Sequence, residues 1–345
     1  MKKYHFIAGL AILALAVSCD DIKAPGVDKK IDTHSEVSVE EFTSLKGHGA
    51  LKTSPDGKYF IEQEAGTAIK LTVDTAQPHA TASSKMTIDG AGLPEVSKPV
   101  EGAADNFGII IEVDNTSSAT LDVSASASID GKSVSLAPGS VKPNDKSSVA
   151  YVKTLDNPDK IEYETPVLLP DIATEPMSNG IDVIDVSDIT VMPKKGATAL
   201  AAASAVEISL LAKYYTSLSF PAGTKLHLNP TFSDLKINLD RVNFPLKEYD
   251  LYMTIESTIP FDMKASVTSS DGVSGTCDDI VKAGAVGKPV KSAIVVHIKD
   301  DSGHNVSQIT NATFSIDLVA GSNAYFGKGQ YLKIDTEKLT IQKVN

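Results

Sequence analysis

Residues 119–129 read ATLDVSASASI. From position 121 onward Leu121, Val123, Ala125, Ala127 and Ile129 alternate with Asp122, Ser124, Ser126 and Ser128. A repeat of two gathers the apolar groups on one side of an extended chain, whereas the 3.6-residue repeat of a helix would scatter them around its axis. The segment therefore predicts a half-buried antiparallel strand. Asp130-Gly131 follows at once and marks a turn.

The same grammar runs along the chain. SPDGKYF (54–60), AIKLTV (68–73), GIIIEV (108–113) and SSVAYV (147–152) are strand-like, and so are LKINLDRV (235–242), YDLYMTIEST (249–258), FDMKASVTSS (261–270), SAIVVHI (292–298), ATFSIDLV (312–319) and YLKIDTEKLTI (331–341). Many short strands separated by turn residues predict an all-β fold of the sandwich type. Residues 109–134 and 251–275 share an order: apolar strand, acidic residue, Thr-containing corner, alternating Ala/Ser strand, then Asp-Gly at 130–131 and 271–272. This predicts two antiparallel β-sandwich domains of Ig-like or Greek-key type in tandem; the alternative is coincidental hairpins within one large β fold. The turn-rich LLPDIATEPMSNGI (168–181) places the boundary, giving domains over 41–172 and 173–345. ATALAAASAVEISLLA (197–212) is the one helix candidate, its alanines favouring helix while its continuation carries strand-like residues.

The N-terminus has another character. Lys2 and Lys3 precede an uncharged apolar run from Phe6 to Val17, closed by Ser18 and Cys19, the pattern of a secretory signal peptide over 1–18. The run is shorter than the ~20 apolar residues that span a bilayer. AVSC at 16–19 resembles the lipobox of bacterial lipoproteins, with Ala16 where that motif usually has Leu and Leu15 one step earlier. The resemblance implies that Cys19 is fatty-acylated and becomes the first residue after cleavage; ordinary cleavage with Cys19 as a free thiol is the alternative. Asp20 and Asp21 resemble the acidic pair that sends Bacteroidetes lipoproteins to the outer face of the outer membrane, while an Asp after the cysteine resembles an inner-membrane retention signal in enteric bacteria. Residues 19–40, mixed in charge and containing Pro25 and Gly26, read as a lipidated flexible tether.

Charge narrows the partners. The chain carries −12, which becomes −14 once Lys2 and Lys3 leave with the signal peptide, and Arg241 is its only arginine. Nucleic acid is thereby disfavoured as a partner, because phosphate contacts depend on Lys and Arg. The anchor makes the membrane a partner, and the ligand class left open is a protein or a glycan.

No catalytic, cofactor or metal motif is present. The histidines, at 5, 34, 48, 79, 227, 297 and 304, form no HxxxH or HxH pair. His297 lies in an apolar strand and reads as a packed or edge residue, and GVSGT (272–276) lacks the strand-to-helix setting of a nucleophile elbow. Asp271, Asp278 and Asp279, and likewise Asp300, Asp301 and Asn305, lie in acidic turns without the alternate-position spacing of a calcium loop; they read as solvated hairpins, with a weak Ca²⁺ site as the alternative. Cys277 has only Cys19 as a disulfide partner, so acylation of Cys19 leaves it single. Tyr214 and Tyr215, with Phe220, form the densest aromatic cluster, of which alternation buries one tyrosine. Asp74-Thr75-Ala76 resembles an O-glycosylation motif of exported Bacteroidetes proteins, with Thr75 as the acceptor. The expected role is non-enzymatic binding or structural interaction at the cell envelope, lipid-anchored at the outer membrane and facing the cell surface, or else the periplasm. The alternatives are a fimbrial or assembly subunit, marked by a detachable terminal strand, and a carboxylate-dependent glycoside hydrolase.

Overall fold

The structure, a computed structural model, describes residues 28–73, 80–82, 85–97, 107–152, 167–168, 182–194, 206–228, 231–233, 248–269, 273–300 and 311–341. It is all-β and falls into two units, one made of residues up to Gly47 together with Pro221 onward, the other of His48–Phe220.

The chain enters the first unit as β1 (Asp28–Ser38) and makes one helical turn, α1 (Val39–Phe42). Ser38 and Glu41 form a capping box, the Ser38 hydroxyl accepting from the Glu41 N–H and the Glu41 carboxylate from the Ser38 N–H. Val39, Phe42 and Leu45 are buried.

The second unit then follows entire. Its strands are β2 (Leu51–Thr53), β3 (Tyr59–Glu64), β4 (Ile69–Val73), β5 (Ala80–Ala82), β6 (Met86–Asp89), β7 (Phe107–Asn115), β8 (Leu121–Ile129), β9 (Lys132–Val141), β10 (Asp145–Val152), β11 (Val167–Leu168), β12 (Val183–Pro193), β13 (Val206–Ser217) and β14 (Ser219–Phe220). One sheet runs β11-β10-β7-β13-β3-β2, with β4 also on β13; the other runs β5-β12-β8-β9, with β6 also on β12. β8 alternates buried and half-buried along its whole length, as its sequence predicts. Asp130 and Gly131 both take positive φ, 47° and 83°, as a two-residue hairpin requires. In β12 a bulge at Asp188, φ 50°, inserts one residue between the pairs Ser187↔Ser126 and Thr190↔Ser124, so that Ile189 and Val191 still reach the core. The sheets meet through their apolar faces, and the Tyr151 hydroxyl donates to the Val123 carbonyl at 3.2 Å. Where β13 passes from β4 to β3, the Ala212 N–H donates to the Met86 Sδ at 3.2 Å and the Ala212 carbonyl accepts from the Ala65 N–H at 2.8 Å.

The first unit resumes with β15 (Lys225–Leu228), β16 (Thr231–Ser233), β17 (Glu248–Ser257), β18 (Asp262–Ser269), β19 (Val273–Thr276), β20 (Val290–Asp300), β21 (Asn311–Val319), β22 (Ala324–Tyr325) and β23 (Tyr331–Ile341). Its sheet has the order β1-β23-β17-β20-β19-β18-β21-β15, with β16 also on β21. β19 is short, and beyond it the segment before β20 covers the edge: Asp279 accepts from the Val295 N–H at 2.8 Å and the Ser292 Oγ from the Lys282 N–H at 2.9 Å.

The two units share one connectivity. β8 and β9 form a hairpin while β10 returns to β7; β18 and β19 pair while β20 returns to β17. β12 and β13 take the free edges of β8 and β7, as β21 and β23 take those of β18 and β17. β5 and β6 flank β12 as β15 and β16 flank β21, and β3 and β4 flank β13 as β1 flanks β23. Both corners are stitched by side chains. Asn115 donates to the carbonyls of Ala119 and Lys142 and accepts from the Ser117 N–H and hydroxyl; the Ser257 Oγ accepts from the Ile259 N–H.

The similarity between 109–134 and 251–275 thus corresponds to equivalent strands of two alike units, but the units are nested rather than placed end to end at 172/173. The expected boundary at 168–181 falls within a single unit, between β11 of one sheet and β12 of the other, and 169–181 lie outside the described residues. Residues 28–38 of the expected tether form a strand, because Ile31, Thr33, Ser35 and Val37 keep a weak repeat of two and charged residues suit an edge. The helix candidate is strand from Val206 on; hydrogen bonding along both edges of β13 overrides alanine propensity, and 197–205 lie outside the described residues.

Candidate functional site

Two constellations stand out. On the larger sheet of the second unit, β13 carries Lys213 between β3 and β7, whose strands supply Glu62, Glu64 and Glu112. The Lys213 Nζ lies 3.4, 3.2 and 3.0 Å from the three carboxylates, and Lys146 on β10 reaches the other oxygen of Glu112 at 2.8 Å. Lys213 is only 8% exposed. Burial by itself would lower its pKa, but the Glu112 hydrogen bond and the charges of Glu62 and Glu112 outweigh it and push the ammonium above its ordinary range. Burial would likewise raise the Glu112 carboxyl, and the hydrogen bonds and charges of Lys146 and Lys213 turn the balance and hold it low. Both groups stay fixed in their charged forms. A general acid or base needs the opposite, a group poised near the working pH.

On the first unit, His227 of β15 faces Asp317 of β21, with Nδ1 and Oδ1 2.6 Å apart, and its Nε2 lies 3.3 Å from the Ser315 hydroxyl. The order Ser-His-Asp is that of a nucleophile relay. Its setting differs: the side chains of His227 and Asp317 are 52% and 66% exposed, and β21 is paired along both edges, which spends its amides on ladders rather than on an oxyanion site. A solvated carboxylate on an open sheet surface orients the imidazole weakly, and the contacts are those of cross-strand neighbours.

The other sequence candidates fall as follows. His297 is on the outward face of β20 and pairs through Nδ1 with the buried Asp250 at 2.6 Å, so it is a partnered surface residue rather than a packed one. Tyr214 and Tyr215 are both buried, where alternation alone expects one. Tyr214 donates to the Ser97 carbonyl on one face of β13 and Tyr215 lies 5.4 Å from the Phe60 ring on the other, because this end of the strand is covered on both faces. Cys277 is buried and unpaired, and burial raises its thiol pKa. Asp278 is exposed beside Lys264, and Asp279 is spent on the Val295 amide. Val273–Thr276, from the GVSGT stretch, is β19. Among the described residues no three His, Cys, Asp or Glu side chains gather as a metal site, and no helix is long and apolar enough to cross a membrane. Cys19, Asp20, Asp21, Thr75, Asp271, Asp301 and Asn305 lie outside the described residues. Sequence reading missed the Lys213 cluster, although its signal is there: GIIIEV and ISLLAKYY each hold one isolated charge in an apolar strand, and the charges are opposite.

No protein-family model matches the chain, and no curated protein does. Among solved structures, the chain is similar to a protein of Parabacteroides distasonis described as secreted, at 12% identity and a TM-score of 0.53, over 92% of this chain and 100% of that one. At that identity the likeness is one of fold. The major capsid protein P2 of bacteriophage PM2 aligns at 11% identity over 81% of this chain and 99% of that one, with a TM-score of 0.14, too low to carry an argument.

Proposed function

We propose that this chain is a lipid-anchored protein of the bacterial envelope, held at the outer membrane through Cys19 with its β units toward the cell surface, and that it works by binding or structural interaction rather than catalysis. The observation that supports the second half of this reading is the state of one cluster: the buried Lys213 and the half-buried Glu112 hold each other in their charged forms, which suits stiffening a sheet rather than transferring a proton. The first half rests on the resemblance of AVSC to a lipobox, and the secreted description of the Parabacteroides protein of like fold agrees with export. Only Cys19–Val27 would separate the lipid from β1, a reach of about 30 Å when fully extended.

Protease shaving of intact cells, followed by mass spectrometry of the N-terminal fragment, tests the address. Loss of the chain from whole cells and an acylated Cys19 are expected; an unmodified Cys19 or a fully protected chain would overturn it.

A second reading, an assembly subunit, is favoured by β1. It is a terminal strand, it lies at a sheet edge, and it reaches its unit from the far side of the 48–220 insertion.

A further inference from the structure

We propose that the segment Asp28–Gly47 exchanges between copies of this chain, the β1 of one molecule docking on the β23 edge of another. The partner is a second copy, and the inference rests on the assembly reading above. Three features carry it.

The first is connectivity. Among the described residues, 221–341 hold every strand of the first unit except β1, so removing β1 leaves the other strands in one run of chain and bares the edge of β23. The equivalent edge of the second unit, along β13, is filled by β3 and β4, two strands interior to that unit's own chain. In the second unit the strands flanking β13 belong to that unit's own run of chain; in the first, the strand flanking β23 comes from outside its main run.

The second is composition. β1 reads DKKIDTHSEVS, with Ile31 and Val37 as its only large apolar residues, while β3 and β4 read YFIEQE and IKLTV. β1 is therefore held largely by its ladder to β23, from Asp28↔Thr340 to Ser38↔Tyr331, interrupted by a bulge between Lys30 and Thr33, and by the Glu36–Lys333 ion pair at 3.5 Å. Each of these contacts is defined by the sequences of the two strands, so the β1 of a second copy satisfies the same edge in the same register. That is the condition for swapping an identical element.

The third is the hinge. Val39, Phe42 and Leu45 are buried, and the Val39 N–H donates to the Gln330 carbonyl, which ties α1 to the first unit along with β1. The chain leaves that unit at Gly47, φ 76°, followed by His48 and Gly49. Gly-His-Gly at the division between units is where backbone freedom lets 28–47 leave as one piece.

The test uses the chain from residue 19 onward with Cys19→Ser and Cys277→Ala, because unfolding would expose the free Cys277 thiol to oxidation. Glu36→Cys is placed in one preparation and Lys333→Cys in a differently tagged one, since Glu36 and Lys333 are register partners. The two are unfolded, mixed, refolded together and oxidised. Exchange predicts a disulfide-linked heterodimer in at least about tenfold excess over that formed by Glu36→Cys with Lys264→Cys, an exposed position off the β23 edge, because docking raises the local thiol concentration. A chain carrying both Glu36→Cys and Lys333→Cys must close internally. A yield no greater than the Lys264→Cys control, with the double variant closing, overturns exchange; failure of the double variant to close overturns the register beneath it. Neither result touches the envelope address, which the shaving experiment decides separately.

Discussion

Lys213→Ala removes a cation shared by Glu62, Glu64 and Glu112 and leaves their carboxylates on the two strands that flank β13, with Lys146 still beside Glu112. Lys213 is buried but its carboxylate partners are partly exposed, so its loss sits at the low end of the roughly 3–5 kcal/mol of a fully buried pair, about 3 kcal/mol. For a unit of this size that corresponds to a fall of about 10 °C in Tm. The pH dependence is more diagnostic than the size. In the native chain Glu112 is held below its ordinary 4.5, so its contribution is fully present above that value and is lost as pH falls through the depressed one. Lys213 is held above 10.5, so its contribution is complete below that value and is lost as pH rises through the elevated one. Between about pH 5 and 10 the native network is constant. In Lys213→Ala the hydrogen bond and charge of Lys213 that help hold Glu112 low are gone while the burial that raises its carboxyl remains, so acidification costs the variant less than the native chain. Differential scanning calorimetry from pH 7 to pH 4.5 should therefore narrow the gap between variant and native chain. Lys70→Ala, which removes an exposed cation paired with Glu207, serves as control and should leave Tm unchanged. A Lys213→Ala chain as stable as the Lys70→Ala control at pH 7, or one whose deficit widens on acidification, would refute the account of Lys213.

Other substitutions probe the corners and the nesting. Gly284→Ala would place a Cβ 1.9 Å from the Ser257 carbonyl oxygen, so it should cost about 3 kcal/mol or more in urea unfolding, whereas Gly321→Ala meets no atom within 4 Å and should be mild. Asn115→Ala removes its amide donors from the Ala119 and Lys142 carbonyls and the acceptor of the Ser117 N–H, while the Ser117 hydroxyl still donates to the Ala119 carbonyl at 3.1 Å, so the loss should be about 1–3 kcal/mol. Cys277 should react with a disulfide reagent only at the rate of unfolding, since burial raises its pKa; immediate labelling of the native chain would contradict its placement. Residues 48–220 expressed alone should give a cooperative melt with β-type circular dichroism, because all the sheet partners of β2–β13 lie within that range.

Much of the local structure is legible in the residues. Alternation places β8, Asp-Gly places its hairpin with β9, and the matched order around 109–134 and 251–275 points to two like units, because side-chain direction and turn conformation are properties of a few consecutive residues. The lipobox-like stretch and the acidic charge are likewise one-dimensional information. The candidate constellations were much less legible. Lys213 shows as a lone charge in an apolar strand, but which carboxylates neutralise it depends on which strands flank β13, and the Ser315–His227 contact depends on a pairing between strands far apart in sequence.

Local pattern by itself determined that this chain is built from two-faced strands joined by tight turns, and it is the whole basis for reading an address in the first residues. Tertiary structure alone decided that the chain of one unit is interrupted by the whole of the other, that the supposed tether supplies the edge strand β1, and that an alanine-rich stretch leads into a central strand. The physical reason is common to all three. A strand's backbone donors and acceptors must be satisfied by another strand, and nothing local specifies which one; that choice is made only when apolar faces and open edges from the whole chain compete for one another.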